Sequence, residues 1–202
     1  MLVASRDLTE EEILRKLEKR LDPRRYVHSL GVAYTACSLF MAYGHTDPAE
    51  LSRAYTAGLL HDCAKNLTDE ERDKYCKKYA LELSDVEKAY PYLIHAKLGA
   101  VLAKEKYGVQ DEEILSAIRW HTTGKADMSF FEAVIFSADF MEPNRRELEC
   151  MPEIRKLIYR DLDAAVYLIL KQTLIHLEHK GQVIEEHTRE AFEYYKRYER
   201  NE

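Results

Sequence analysis

Apolar positions along this chain recur at three- and four-residue spacing almost from end to end. That is the signature of helices that each bury one stripe. The starts and stops are equally plain. Thr9 with Glu12, Thr68 with Glu71, Ser84 with Glu87 and Ser129 with Glu132 form capping-box pairs, in which a hydroxyl and a carboxylate satisfy the free N–H groups of a first turn. Asp22-Pro23 and Asp47-Pro48 place Asp at the N-cap and Pro at the first helical position. Gly44, Gly108 and Gly181 fall where helices should end. These marks predict helices from Thr9 to about Arg20, from Pro23 to about Tyr43, and from Pro48 to His61-Asp62. Further helices are expected over Asp69–Ala80, Tyr92–Tyr107, Asp111–Trp120 and Ser129–Asp139, with Pro143 as a stop. A short turn at Ser84, a brief helix from Pro152, a long one from Asp161 or Asp163 to Gly181 and a last one from Thr188 complete the chain. No segment alternates as a strand does. The expectation is an all-α fold of roughly eight to ten helices. It forms a single helical-bundle domain over 1–202, with a core at about 22–142 and C-terminal helices at 152–202 packed on it.

Composition narrows the classes. The 202 residues are 46% hydrophobic, with seven Gly and five Pro, enough apolar surface for a sizeable core and too little bias for disorder. No apolar run approaches the roughly 18 residues of a membrane span. The stretch Met1 to Glu12 lacks the apolar centre of a signal peptide. Cys37, Cys63, Cys76 and Cys150 form no CxxC pair, the usage expected of reduced packing thiols in a cytoplasmic protein. The net charge of −6 argues against general nucleic-acid binding but allows a local basic patch for a small phosphorylated substrate.

Several ionisable residues sit where apolar ones belong. His61-Asp62 ends a helix whose face carries Ala54, Ala57 and Gly58, small enough for another backbone to pack closely. His28 shares a face with Val32, Thr35 and Leu39, His95 with Gly99 and Leu102, and His121 with Ile114, Ala117 and Ile118. Asp139 lies above Glu132, Ile135 and Phe136. A single histidine on such a face is more often a hydrogen-bonded core residue than a ligand. Five such positions together with Asp62 are better explained by a divalent metal, because isolated buried charges are costly and imidazole and carboxylate are natural ligands. His45, His176, His179 and His187 fall in a loop or on charged helix surface and read as solvent-facing. Lys65 follows the His-Asp pair, as an ordinary helix-end cation or as a phosphate clamp. The turn His121-Thr122-Thr123-Gly124 and the cations Arg145-Arg146 are either a capped helix end and solvated charges or further phosphate ligands. Tyr194, Tyr195 and Tyr198 read as packing of a terminal helix, or as the contact of a homodimer.

The order His28…His61-Asp62…Asp139 resembles the signature of HD-domain metal-dependent phosphohydrolases. The blocks Arg25-Tyr26-Val27-His28-Ser29-Leu30-Gly31-Val32, Ala57 to Lys65, His95 to Ala100, Ala117 to Gly124 and Ala138 to Arg145 are similar to the bacterial YqeK family of symmetrical bis(5′-nucleosyl)-tetraphosphatases, which hydrolyse diadenosine tetraphosphate. The resemblance implies iron held by His28, His61, Asp62 and Asp139, with His95 and His121 able to complete a binuclear site. Manganese, cobalt, zinc or nickel suit the same donors. It implies nucleotide contacts at Gly31, Lys65, His95, His121, Thr122 and Arg145, and catalytic roles for Asp62, Lys65, His95 and His121. The implied reaction is cleavage to two ADP through a metal-activated hydroxide. The partners it implies are a dinucleoside polyphosphate and its ADP product, without nucleic acid or membrane. A C-terminal block, Gly181 to Thr188, resembles one expected to close over the nucleotide, with departures at Glu186 and Glu193, and Leu93-Ile94 replaces a more polar lead-in to His95. Two other readings share these residues: an HD phosphohydrolase of a nucleoside monophosphate or guanosine tetraphosphate, and a nucleotide-binding regulatory module without turnover.

Overall fold

A computed structural model describes residues 8–199. The first part of the N-terminal stretch read above for a signal peptide, residues 1–7, lies outside the described residues, as do residues 200–202. Among the described residues there are eleven α-helices, two 3₁₀ turns and no strand. They are α1 (Glu10–Arg20), α2 (Pro23–Ala42), α3 (Pro48–Leu60), α4 (Asp69–Lys78), α5 (Asp85–Ala89), α6 (Ile94–Tyr107), α7 (Glu112–Trp120), α8 (Phe130–Met141), α9 (Met151–Leu157), α10 (Leu162–His179) and α11 (Glu186–Tyr195).

The caps act as their chemistry requires. Thr9, Thr68, Ser84 and Ser129 each form a full capping box, and Asp22, Asp47, Asp111 and Asp161 accept from first-turn N–H groups. Four boundaries differ from the sequence expectation. The Ser84 turn is a helix of its own, α5, which raises the count to eleven. Pro91–Leu93 winds as a 3₁₀ turn, so α6 begins at Ile94 with no side-chain cap. Helix α8 runs past Asp139 to Met141. The last helix starts at Glu186 rather than Thr188, because the Glu185 carboxylate caps it by accepting from His187 N–H; Thr188 is buried inside its first turn.

Helix α2 is central, packing on α3 and α8; α7 fills the space among α3, α6 and α8, and α10 backs α8. The α2–α3 seam is the tightest. A Cβ on Gly58 would lie 2.5 Å from Ala33 Cα, so only glycine lets the two backbones meet there. Gly99 does the same for α6, where a Cβ would reach 3.4 Å from the His61 carbonyl oxygen and 3.3 Å from Ile118 Cγ2. These two approaches bring α2, α6 and α7 against the end of α3. Ion pairs pin the periphery: Arg20 grips Glu71 through two bonds of 2.8 and 2.9 Å, and Arg53 joins α3 to Asp111 and Glu113 at the start of α7. The terminal helix closes one side, with Tyr195 buried and its hydroxyl accepting from Met128 N–H at 3.1 Å. No helix of the described residues is long and apolar enough to cross a membrane.

Gly58→Ala should push α2 off α3 and cost about 1–3 kcal/mol, as overpacking typically does. Thermal denaturation of the metal-free protein should show it as a Tm lowered by several degrees.

Candidate metal centre

Four histidines and two aspartates converge where α2, α3, α6, α7 and α8 meet. His61 and Asp62 follow α3, His28 comes from the middle of α2, His95 from the first turn of α6, His121 from the end of α7 and Asp139 from the last turns of α8. His28, His61, Asp62, His95 and His121 are buried, and Asp139 is partly so. Three overlapping triads form, each with its ligand atoms within 4.8 Å of one another: His28-His61-Asp62, His61-His121-Asp139 and Asp62-His95-His121.

The orientation of the rings has a simple cause. The carbonyls at a helix end lack intrahelical partners and need donors. His61 Nδ1 donates to Gly58 O at 2.6 Å and His121 Nδ1 to Ile118 O at 2.7 Å, each reaching back into the last turn of its own helix. His95 Nδ1 donates to Tyr92 O in the 3₁₀ turn at 2.6 Å. One imidazole bond thus satisfies a main-chain oxygen and fixes the tautomer. With Nδ1 as donor, a neutral ring presents Nε2 as a bare lone pair. His28 sits mid-helix, away from such carbonyls, and its Nδ1 lies 3.0 Å from Glu142 Oε1 instead.

The Nε2 atoms face one another and the carboxylates. His28 and His61 Nε2 are 3.2 Å apart, as are those of His95 and His121. Asp139 Oδ1 lies 2.9 Å from His28 Nε2 and 3.6 Å from that of His61. Asp62 is turned two ways: Oδ2 lies 3.4 Å from His61 Nε2 and 3.8 Å from that of His28, and Oδ1 lies 3.2 Å from His95 Nε2 and 3.6 Å from that of His121. Asp62 Oδ1 is buried and receives no hydrogen bond. A buried anionic oxygen without a donor, among nitrogen lone pairs, fits a divalent cation, and the His/Asp donor set suits one or two first-row metals.

Charges around the centre shift its groups. Burial disfavours a charge on His61, but the carboxylates of Asp62 and Asp139 outweigh it and carry its pKa up to about 10. Burial pushes His95 down to about 4, so its ring is neutral. Burial would raise Asp62 and Asp139, yet both lie well below the usual carboxylate range, Asp62 chiefly through His61 and Asp139 chiefly through Arg145. Burial lowers Lys65, opposed by Asp62.

The cations read as alternatives in the sequence do gather here. Lys65 Nζ lies 3.1 Å from His95 Nε2, and Arg145 Nη2 bonds Asp139 Oδ1 at 2.6 Å. Thr122 Oγ1 lies 3.0 Å from His121 Nε2, whereas Thr123 turns to the Gly124 carbonyl. Arg146 lines an outer cleft of 440 Å³ with Arg24, Arg25 and Arg145, and His28 forms part of its wall. Gly31 lines a neighbouring groove with Val27 and Tyr34. Two residues outside the candidate set enter the site. Arg25 Nη1 bonds Asp62 Oδ2 at 2.6 Å, and Glu142 reaches His28. Each has a spacing signal: Arg25 stands three before His28 and Glu142 three after Asp139, on the ligand's helix face. Of the histidines expected at the surface, His176, His179 and His187 are exposed, His187 edge-on to Trp120. His45 is half-buried instead, stacked on Phe130 at 4.6 Å.

Paired histidines and aspartates on a purely helical frame define an HD-type centre, and the family model described as the HD domain matches residues 25–201. The chain belongs to the HD-domain family. Within it, the chain is homologous to the symmetrical bis(5′-nucleosyl)-tetraphosphatases. It is 37% identical over 179 residues to the protein of that name from Bacillus subtilis (strain 168), covering 88% of this chain and 92% of the relative. The Staphylococcus aureus (strain NCTC 8325 / PS 47) protein of the same name is 34% identical over 188 residues, 92% of this chain and 93% of the relative. Among solved structures, a Clostridium acetobutylicum protein described as a "predicted HD superfamily hydrolase involved in NAD metabolism" superposes with a TM-score of 0.88 at 36% identity, covering 95% of this chain and 99% of that one.

Because His61 carries a second ring proton, on Nε2, in the metal-free centre and a ligand must release it, apparent affinity for a divalent metal should rise about tenfold per pH unit up to pH 10. Metal titrations between pH 6 and 9, with proton release followed by a pH indicator, measure this. His61→Ala should lose metal and activity together.

Proposed function

We propose that this chain hydrolyses diadenosine tetraphosphate symmetrically, yielding two ADP. The observation that carries the reading is the adjoining pair of features above: Asp62 divided between two histidine pairs, and an arginine-lined cleft with His28 in its wall. The first suits a binuclear metal centre; the second suits a polyphosphate. The homologues' name supplies the substrate.

On this reading His28, His61, Asp62 and Asp139 hold one iron, and Asp62, His95 and His121 take the second. Bound there, such metals lower the pKa of water and polarise phosphoryl oxygens. The protein's own groups do the rest. Lys65 and Thr122 stand on the His95 side, where they receive the charge on equatorial phosphoryl oxygens. Arg145 serves the other side, and its planar guanidinium can grip phosphate through two bonds. Arg25 shares that work from the start of α2. Gly31 offers backbone to the nucleoside beside the cleft, and Gly181 to Thr188 lies toward the end of α7 that carries His121, where His187 meets Trp120. Orientation by several fixed cations is what symmetrical attack demands. The chain must hold both halves of the substrate so that an inner phosphorus, and not an outer one, meets the centre.

Anaerobic protein supplied with ferrous iron should convert diadenosine tetraphosphate to ADP alone, with activity lost on chelation. ATP with AMP among the separated products would overturn symmetrical cleavage. Lys65→Ala should keep its metal and lose about 100-fold in kcat, the usual cost of one charge-stabilising donor; full activity in that variant would remove Lys65 from the mechanism.

A further inference from the structure

We infer that Glu142 is a positioning residue for the metal centre: it holds the His28 imidazole with Nε2 aimed inward, and Gly31 is glycine to make room for it. The inference rests on the metal-centre reading but not on the identity of the substrate.

Glu142 is 0% exposed, although it directly follows the end of α8 and precedes an exposed, charged loop. Burying a carboxylate is costly unless its oxygens are well supplied with donors. Both oxygens are. Oε1 faces His28 Nδ1 at 3.0 Å, and Oε2 accepts from Asn144 N–H at 2.7 Å and from Asn144 Nδ2 at 3.0 Å. A carboxylate only accepts, so a proton of this pair sits on Nδ1, and in the neutral ring Nε2, which faces Asp139 Oδ1 at 2.9 Å, is the nitrogen left for a metal. No other member of the centre is held this way. His61, His95 and His121 are oriented by main-chain carbonyls three residues earlier in the chain, available because each ring stands at a helix end. His28 lies within α2, so its orienting acceptor comes from 114 residues away.

Gly31 completes the arrangement. It lies one turn after His28, and a Cβ there would stand 2.2 Å from Glu142 Oε2, 3.0 Å from its Cδ and 3.1 Å from Asn144 Nδ2. A glycine inside a helix costs about 1 kcal/mol relative to alanine. Nothing in the backbone asks for it at this point, since α2 continues through it. The carboxylate does ask for it. Glu142 also ties the centre to the substrate side, because Arg145 N–H donates to the Glu142 carbonyl at 3.1 Å while the Arg145 guanidinium bonds Asp139. One short loop therefore aims a ligand ring and carries a phosphate-binding cation.

Glu142→Gln keeps the shape and breaks the logic. An amide accepts at one end and donates at the other, so with its oxygen on the Asn144 donors its N–H faces His28 Nδ1, which then becomes the acceptor and leaves the ring proton on Nε2, where a metal would bind. The test uses cobalt(II) as the probe, titrated into full-length metal-free protein and followed by its visible absorption and by competition with a chelator. Glu142→Gln should bind cobalt about 10- to 100-fold more weakly, the usual effect of losing an outer partner of a ligating histidine, with altered visible bands. Its metal-free melting curve should stay close to that of the wild type. Gly31→Ala, which adds one methyl, should weaken cobalt binding in the same direction. In the ferrous enzyme, kcat of Glu142→Gln should fall with KM little changed. Wild-type affinity and bands in both variants would overturn the inference, even if turnover fell. Should Glu142→Gln fail to fold, Gly31→Ala decides by the same reading. If the wild type itself binds no cobalt, it is the metal-centre reading that fails.

Discussion

Imidazole nitrogens crowded on one another and on two carboxylates are the constraint on which this structure turns. Two pairs of imidazole Nε2 atoms stand 3.2 Å apart beside two aspartates, and a buried oxygen of Asp62 receives no donor. A core so arranged is unfavourable until a cation enters, and the surrounding fold has to hold it in place meanwhile. Much of the architecture answers that requirement. Gly58 and Gly99 let backbones close around the end of α3. The ends of α3 and α7 use their histidines to satisfy their own last-turn carbonyls. Arg25 and Arg145 lean on the carboxylates from the open side.

Much of the frame was legible because helix signals are local. Thr9 with Glu12 or Ser129 with Glu132 needs only three residues of context. The differences arise where tertiary packing intervenes. Pro91 winds a 3₁₀ turn before α6, and the Glu185 carboxylate caps α11 so that it starts at Glu186 while Thr188 turns into the core. A capping rule that ranks threonine above glutamate places that start two residues late.

The gathered histidines and aspartates stood out because a polar residue on an apolar face contradicts its surroundings. Arg25 and Glu142 carried no such contradiction. Arg25 follows another arginine at a helix start, and Glu142 sits before a proline in a charged loop, so both look solvated. Helical spacing sets each of them beside a ligand, but their partners lie across the fold, 37 residues away for Arg25 and 114 for Glu142, and spacing alone does not name those partners. Gly31 shows a different case: the family resemblance marks it as a nucleotide contact, and only the folded chain shows that its missing Cβ also leaves room for the Glu142 carboxylate. His45 looked solvated from its loop, and only the arrival of α8 places Phe130 against it.

The long reach between His28 and the far end of α8 has a consequence for the life of the molecule. Donors scattered across most of the chain come together only when every central helix has docked. A nascent or clipped chain therefore offers a metal isolated imidazoles and carboxylates rather than a chelate. Tight capture follows completion of the fold, and bound metal in turn favours the finished state by mass action. The ion thus acts as an inspector as well as a reagent: only a chain whose central helices have all docked presents it the complete donor set.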